Sequence, residues 1–187
     1  KSLLAALVFS LSFLGADIYR TSVSYDTPRS VTHRVDVFNS GDTSTPLSHG
    51  SGTSVASGFV LTAAHVVDGE GILIKVEGKV AKVVSINKKV DLALLSVDVP
   101  CPCVPLADAS PLPDSSVVAV GYPLNLPQTL TEGRWQEFTV QEGKSISIST
   151  TPIAFGNSGG GLFAWSWFHM RWELVGVPVG VPGISLG

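Results

Sequence analysis

Pro100-Cys-Pro-Cys-Val-Pro105, with Pro111 and Pro113 close behind, is the stretch that divides this chain. Proline has no N–H to give to a sheet ladder, so such a run cannot lie in a central strand. Residues 98–115 therefore read as a connector. Short β-prone runs lie on both sides of it. Upstream are Arg34–Phe38, Thr53–Val55, Phe59–Thr62, Ile72–Glu77, Val80–Ile86 and Leu92–Val97. Downstream are Val117–Gly121, Glu137–Gln141, Ser145–Thr150, Gly160–Phe163, Trp172–Val177 and Val179–Val181. Six strands, a connector and six more predict an all-β fold of two six-stranded antiparallel β-barrels. No repeat and no long amphipathic helix competes with this reading.

Composition points the same way. Of 187 residues, 44% are hydrophobic and 14% charged, which supports a sizeable core and excludes a disordered chain. Nineteen glycines and twelve prolines punctuate it often, as many short strands require. The net charge is −3 and no basic stripe is present, so nucleic acid is not an expected partner. Two cysteines cannot supply a disulfide framework.

The predicted organisation runs from end to end. Leu3 to Ala16 is an uncharged apolar stretch, shorter than the ~20 residues that span a bilayer. Residues 1–16 are expected to be a signal or membrane-anchor segment, so the protein is expected to be secreted, periplasmic or membrane-tethered. Membrane association, if any, runs through residues 3–16. Residues 17–32, broken by Pro28, read as a linker, residues 33–97 as the first barrel and residues 116–187 as the second. The apolar end from Val179 to Gly187 has no closing element, which suggests that the natural chain continues.

Three segments carry chemistry: Leu61-Thr-Ala-Ala-His65, Asp91-Leu-Ala-Leu-Leu95 and Gly156-Asn-Ser158-Gly-Gly-Gly-Leu162. A serine hydroxyl needs an adjacent base, and that imidazole needs an anion to fix its tautomer. The tetrahedral oxyanion needs preorganised N–H donors. His65, Asp91 and Ser158 are the candidates for the first three parts. The N–H groups of Gly156 and Ser158 are candidates for the fourth. A lone Ser in a Gly-rich turn is usually just a turn. The order His, Asp, Ser across two lobes is far more specific, and it puts the site in the cleft between them.

These segments resemble the trypsin-like serine peptidases of the chymotrypsin fold. Thr62-Ala-Ala-His65 and Gly156-Asn-Ser158-Gly-Gly are similar to that clan's His and Ser boxes. Asn157, where animal digestive enzymes carry Asp, resembles the high-temperature-requirement branch and related viral proteases. The likeness runs from about Val31 to Val181. It implies His65 as general base, Asp91 as its orienting partner and Ser158 as nucleophile. It implies protein or peptide substrates and no cofactor. Gly161 departs from the family's usual Pro. Asn157 removes the Asp that pairs with a newly cleaved N-terminus, which argues against that kind of zymogen activation.

The resemblance also places a specificity pocket. Its walls would be the segment before the nucleophile, including Ile153, Ala154 and Phe155, and the later strand Val179-Gly180-Val181. None of these carries a charge, so cleavage after an apolar residue is expected rather than after Arg or Lys, and the resemblance of Ile153 to the isoleucine that closes the pocket in the high-temperature-requirement branch implies a small aliphatic one.

Other residues have blander readings. Cys101-Pro-Cys103 reads as two free thiols in the connector. Some viral relatives use a Cys-x-Cys here for zinc, but position 164 is Ala and only His169 lies near to help. Three ligands fall short of the usual four, so no metal site is expected. His33 and His49 are expected at the surface. Trp165, Trp167, Phe168, Met170 and Trp172 read as hairpin packing or as a contact patch. The rival functions are a catalytically silent protease-like binding module and an α/β-hydrolase esterase. The latter's G-x-S-x-G motif fits Gly156 to Gly160, but Gly161-Leu-Phe-Ala-Trp165 reads as a strand where that fold needs a helix.

Overall fold

The computed structural model describes residues 23–100, 102–141 and 144–179. A short helix α1 (Asp26–Ser30) leads into β1 (Thr32–Asn39), β2 (Ser48–Ala56) and β3 (Phe59–Ala63). A single helical turn α2 (Ala64–Val67) follows, then β4 (Ile72–Val76), β5 (Lys79–Asn87) and β6 (Leu92–Ser96). These six strands close into an antiparallel barrel in the order β1-β2-β3-β6-β5-β4, sealed by β1 against β4. Its hairpins use local chemistry. Between β4 and β5, Glu77 and Gly78 both have positive φ (48° and 78°), as a two-residue hairpin loop of primed type needs. Inward-facing Val35, Val37, Val60, Ile74, Val76 and Leu95 fill the barrel.

The second lobe is β7 (Ser116–Gly121), β8 (Thr129–Gln141), β9 (Lys144–Ser149), β10 (Gly161–Ser166) and β11 (Arg171–Gly176). Among the described residues it is a five-stranded sheet in the order β11-β10-β7-β8-β9. The expected sixth strand, Val179–Val181, does not form at Val179, and Gly180 and Val181 lie outside the described residues. Both faces of this sheet are covered. Val118, Val120, Phe163 and Leu174 pack on one side, and Val117, Ala119, Trp135 and Leu162 on the other. That is why Val117-Val-Ala-Val120 reads as a continuous apolar run instead of an alternating one.

Four expectations need correcting. The segment read as a linker contains α1, and Val23, Tyr25 and Val31 pack into the core of the second lobe. There the indole N–H of Trp172 donates to the Ser24 carbonyl (2.8 Å). Second, β8 starts at Thr129 and not at Glu137. Its first half pairs with β7 and its second with β9, with a register shift between Trp135 and Phe138, and the polar alternation of Thr129–Arg134 hides the first half. Third, Cys103 is disulfide-bonded rather than a free thiol, and the chain's other cysteine, Cys101, lies outside the described residues. An oxidised cysteine offers no thiolate to a metal. Fourth, His33 and His49 stand on β1 and β2 and are partly buried, because each ring reaches a partner: His33 the Ser54 hydroxyl, and His49 the Asn125 N–H.

The connector is packed structure. The Val104 N–H donates to the Ser54 carbonyl in the first lobe (3.0 Å). In the second lobe, the Ala107 N–H donates to the Leu174 carbonyl and the Leu174 N–H to the Pro105 carbonyl (both 2.9 Å). In the β10–β11 hairpin, Trp165 meets Trp172 edge-on (5.7 Å between centroids) and Trp167 likewise (6.2 Å), while Phe168 and Met170 stay exposed. Among the described residues no helix is long and apolar enough to cross a membrane. Residues 1–16 lie outside them.

Phe163 is fully buried at the centre of the second lobe. Phe163→Ala should therefore lower unfolding stability by about 3–5 kcal/mol, as aromatic truncations in cores do. Urea titration checks it; an unchanged midpoint would show that this core does not hold the lobe.

Candidate functional site

His65 sits on α2, immediately after β3, where the chain turns out of the barrel wall. Three bonds tie this turn to Asp91. The Ala64 N–H donates to the Asp91 carbonyl (3.0 Å). The His65 N–H donates to Oδ1 (2.8 Å), and the ring Nδ1 lies 2.6 Å from Oδ2. A carboxylate only accepts, so Nδ1 donates to it, and in the neutral imidazole the lone pair is then on Nε2. The imidazole is half exposed (48%) and the carboxylate less so (28%). Asp91 itself has φ +57°, a left-handed conformation costly for a non-glycine residue, held in place by those three bonds.

The Ser158 loop is built around two glycines that nothing else fits. Gly156 has φ +96°, and a Cβ there would lie 2.3 Å from the Tyr122 carbonyl oxygen. Gly159 has φ +83°, and a Cβ would meet the Ser51 carbonyl and the Thr62 hydroxyl, both at 2.2 Å. The loop is bonded on every side. The Ser51 hydroxyl donates to the Gly156 carbonyl (2.7 Å), and the Ser51 N–H donates to the Ser158 carbonyl (2.8 Å). Asn157 N–H reaches Ala154 O (3.0 Å), Gly159 N–H reaches Pro178 O (2.8 Å) and Gly160 N–H reaches Asn157 O (3.0 Å). Among the described residues, the N–H groups of Gly156 and Ser158 have no acceptor. Ser158 is half-buried, on the surface of this loop.

The two halves meet across Gly50. A Cβ at Gly50 would lie 2.7 Å from a methyl of Val66, next to His65, and 3.1 Å from the Ser158 carbonyl. A Cβ at Gly159 would lie 2.8 Å from the Ala63 nitrogen. The turn that carries His65 and the loop that carries Ser158 are thus packed against the same glycine of β2.

The expected pocket residues divide. Ile153 is packed with Trp135 and Leu162 in the second core. Ala154 is half-buried, and Phe155 is 80% exposed. Val179 is at the surface, and Gly180 and Val181 lie outside the described residues. Among the described residues no three His, Cys, Asp or Glu side chains gather as metal ligands.

Comparison with known proteins shows the family and the fold. Residues 50–177 match the trypsin-like peptidase domain model. The chain belongs to that family. A probable periplasmic serine endoprotease of DegP-like type from Marinomonas sp. (strain MWYL1) is 32% identical over 143 residues, covering 68% of this chain and 29% of the relative. Serine protease HTRA1B of Danio rerio is 33% identical over 162 residues, covering 77% of this chain and 32% of the relative. This member of the trypsin-like family therefore spans about a third of the length of those relatives. The serine endoprotease structure from Yersinia pestis superposes with a TM-score of 0.64 at 27% identity, covering 84% of this chain and 57% of that one. The inactive form of Rv3671c protease (M. tuberculosis) gives 0.69 at 22% identity, covering 84% and 81%. The two-lobed all-β architecture is the chymotrypsin-like one expected from the sequence.

Two parts of the site carry little signal in the sequence. Ser51, between Gly50 and Gly52, reads as one more turn serine. The turn Pro123–Asn125 has only its proline and asparagine to mark it, and it lies beside the Ser158 loop through Leu124 N–H to Phe155 O (2.7 Å).

His33 is half-buried on β1. Its Nε2 lies 2.7 Å from the Ser54 hydroxyl, and Glu77 stands 4.0 Å from Nδ1. Burial pulls the His33 pKa below its ordinary value, with Glu77 opposing in part. The unfolded chain then binds the extra proton first. Stability is full above the ordinary histidine pKa of ~6.5 and is lost as pH falls below it. Urea midpoints should accordingly drop between about pH 7 and pH 5, and His33→Gln should flatten that drop. An equally steep drop in the variant would assign it to another group.

Proposed function

We propose that the protein is a serine endopeptidase that cleaves protein substrates through an acyl-enzyme, with His65, Asp91 and Ser158 as its triad. The observation that supports this most is the pairing of His65 with Asp91. It directs Nδ1 at the carboxylate and leaves Nε2 available, while in the Ser158 loop the N–H groups of Gly156 and Ser158 have no acceptor among the described residues. In the reaction, the Ser158 oxygen attacks the scissile carbonyl carbon while its proton passes to His65 Nε2. Asp91 stays ionised and stabilises the imidazolium. The N–H groups of Gly156 and Ser158 take the developing oxyanion. The C–N bond then breaks, with the leaving amine receiving the proton from His65. Water, activated by the same imidazole, hydrolyses the Ser158 ester and restores the hydroxyl. No step calls for a cofactor.

Residues 33–97 and 116–187 act in this reading as two lobes that share one site, with 98–115 between them. The apolar character of Ile153, Ala154, Phe155, Val179, Gly180 and Val181 favours a small aliphatic residue before the cut. A buried cation there would be desolvated and unpaired. One relative is named a periplasmic protease, and the apolar stretch of residues 3–16 fits an exported or tethered protein.

Ser158→Ala should abolish peptide hydrolysis, by up to ~10⁶-fold, with the melting curve unchanged. A fluorophosphonate probe should label the wild type at Ser158, as located by mass spectrometry. Near-normal turnover in a folded variant would remove Ser158 from the mechanism. Profiling on a peptide library should show cutting after Val or Ala, with each methylene changing the preference by only ~1–3 kcal/mol. Dominant cutting after Arg or Lys would mean that a carboxylate reaches the pocket from elsewhere.

A further inference from the structure

The turn at Tyr122–Asn125 is held in an unfavourable conformation and touches the Ser158 loop. Leu124 and Asn125 are consecutive non-glycine residues with positive φ (51° and 61°). Such backbone persists only when its surroundings over-determine it. Three bonds do so. The Leu124 N–H donates to the Phe155 carbonyl (2.7 Å). Arg34 Nη2 on β1 donates to Asn125 Oδ1 (2.6 Å). The Asn125 N–H donates to Nε2 of His49 on β2 (3.0 Å). The same imidazole touches the loop directly, since a Cβ at Gly156 would lie 2.6 Å from His49 Nε2. His49 therefore braces the turn and the glycine at once, and the turn fixes the Phe155 carbonyl, one residue before the Gly156 N–H.

We infer that His49 is a positioning residue: as a neutral acceptor at Nε2, it locks the Leu124–Asn125 turn and thereby aims the Gly156 N–H at the oxyanion. This rests on the proposed role of that N–H. Its chemical requirement is a lone pair where Nε2 stands. A ring of the same shape without the acceptor leaves the Asn125 N–H unpaired in a turn that is already strained. The turn then relaxes and carries Phe155 with it. Oxyanion donors work only when placed in advance, and a displacement of about 1 Å at a catalytic group lowers the rate by ~10²-fold.

Three proteins decide this: wild type, His49→Phe, which keeps the ring and loses the acceptor, and His49→Gln, which keeps an acceptor oxygen. Steady-state hydrolysis of one peptide substrate should show kcat about 10²-fold lower in His49→Phe, with KM nearly unchanged and the melting curve retained. His49→Gln should recover most of that loss. Amide hydrogen exchange on the same proteins should be faster at Leu124 and Asn125 in His49→Phe and close to wild type in His49→Gln. A wild-type kcat in His49→Phe would overturn the inference, as would equal losses in both variants or unchanged exchange at the two amides. Failure of the Ser158 assignment is told apart by the fluorophosphonate. A wild type without label at Ser158 sinks the triad, and the exchange data still decide whether His49 locks the turn.

Discussion

Ser51 makes four hydrogen bonds, and the placement of the Ser158 loop depends on them. Its hydroxyl donates to the Gly156 carbonyl (2.7 Å) and accepts from the Tyr122 N–H (2.9 Å). Its N–H donates to the Ser158 carbonyl (2.8 Å), and its carbonyl accepts from the Thr62 hydroxyl (2.7 Å). One fully buried residue of β2 thus fixes both ends of the Gly156–Ser158 segment and the start of the 122–125 turn. Each bond adds only about 1 kcal/mol net, but leaving any partner unpaired in this buried place costs about 1–3. The arrangement is specified by that asymmetry more than by its summed strength. It also explains why the Gly156 and Ser158 carbonyls point at the first lobe, where the Ser51 hydroxyl and N–H hold them.

That constraint reaches the glycines. The loop lies so close to β2, β3 and Tyr122 that a Cβ at Gly156 or Gly159 would overlap backbone atoms by well over half an ångström. Both also need positive φ, so the requirement is double. Gly121 adds a third close approach, with the Asn157 side chain 2.4 Å from its would-be Cβ. The glycines of Gly156-Asn-Ser-Gly-Gly-Gly161 are thus a packing demand, Gly159 against the first lobe, Gly160 and Gly161 against Val120 and Phe163 of the second, and Gly156 against both.

The parts of the fold legible in the sequence are those where one residue type has one job. The prolines of the connector, the alternation of Val35 and Val37 in β1 and that of Ile72, Ile74 and Val76 in β4 all read locally. The His65 and Ser158 segments stand out in the sequence because their order and glycine content are chemically narrow. The less legible parts depend on distant partners. β8 begins eight residues early because Thr129–Arg134 finds β7, whose pairing no local pattern declares. Tyr25 and Val31 read as linker because the residues that cover them, Trp172 and Val104 among them, are far along the chain. His49 has no local cue at all, since its partner Asn125 is 76 residues away.

The first lobe's contribution has the same logic as the second's. A left-handed Asp91 costs about 1–3 kcal/mol, and the chain keeps it because the turn aims both carboxylate oxygens at His65, one at its N–H and one at its ring. Strain at Asp91 and strain at Leu124–Asn125 therefore adjoin the two segments that carry His65 and Ser158. Each holds a polar group at a fixed angle to the space between the lobes, where a flexible loop would lose that group to water.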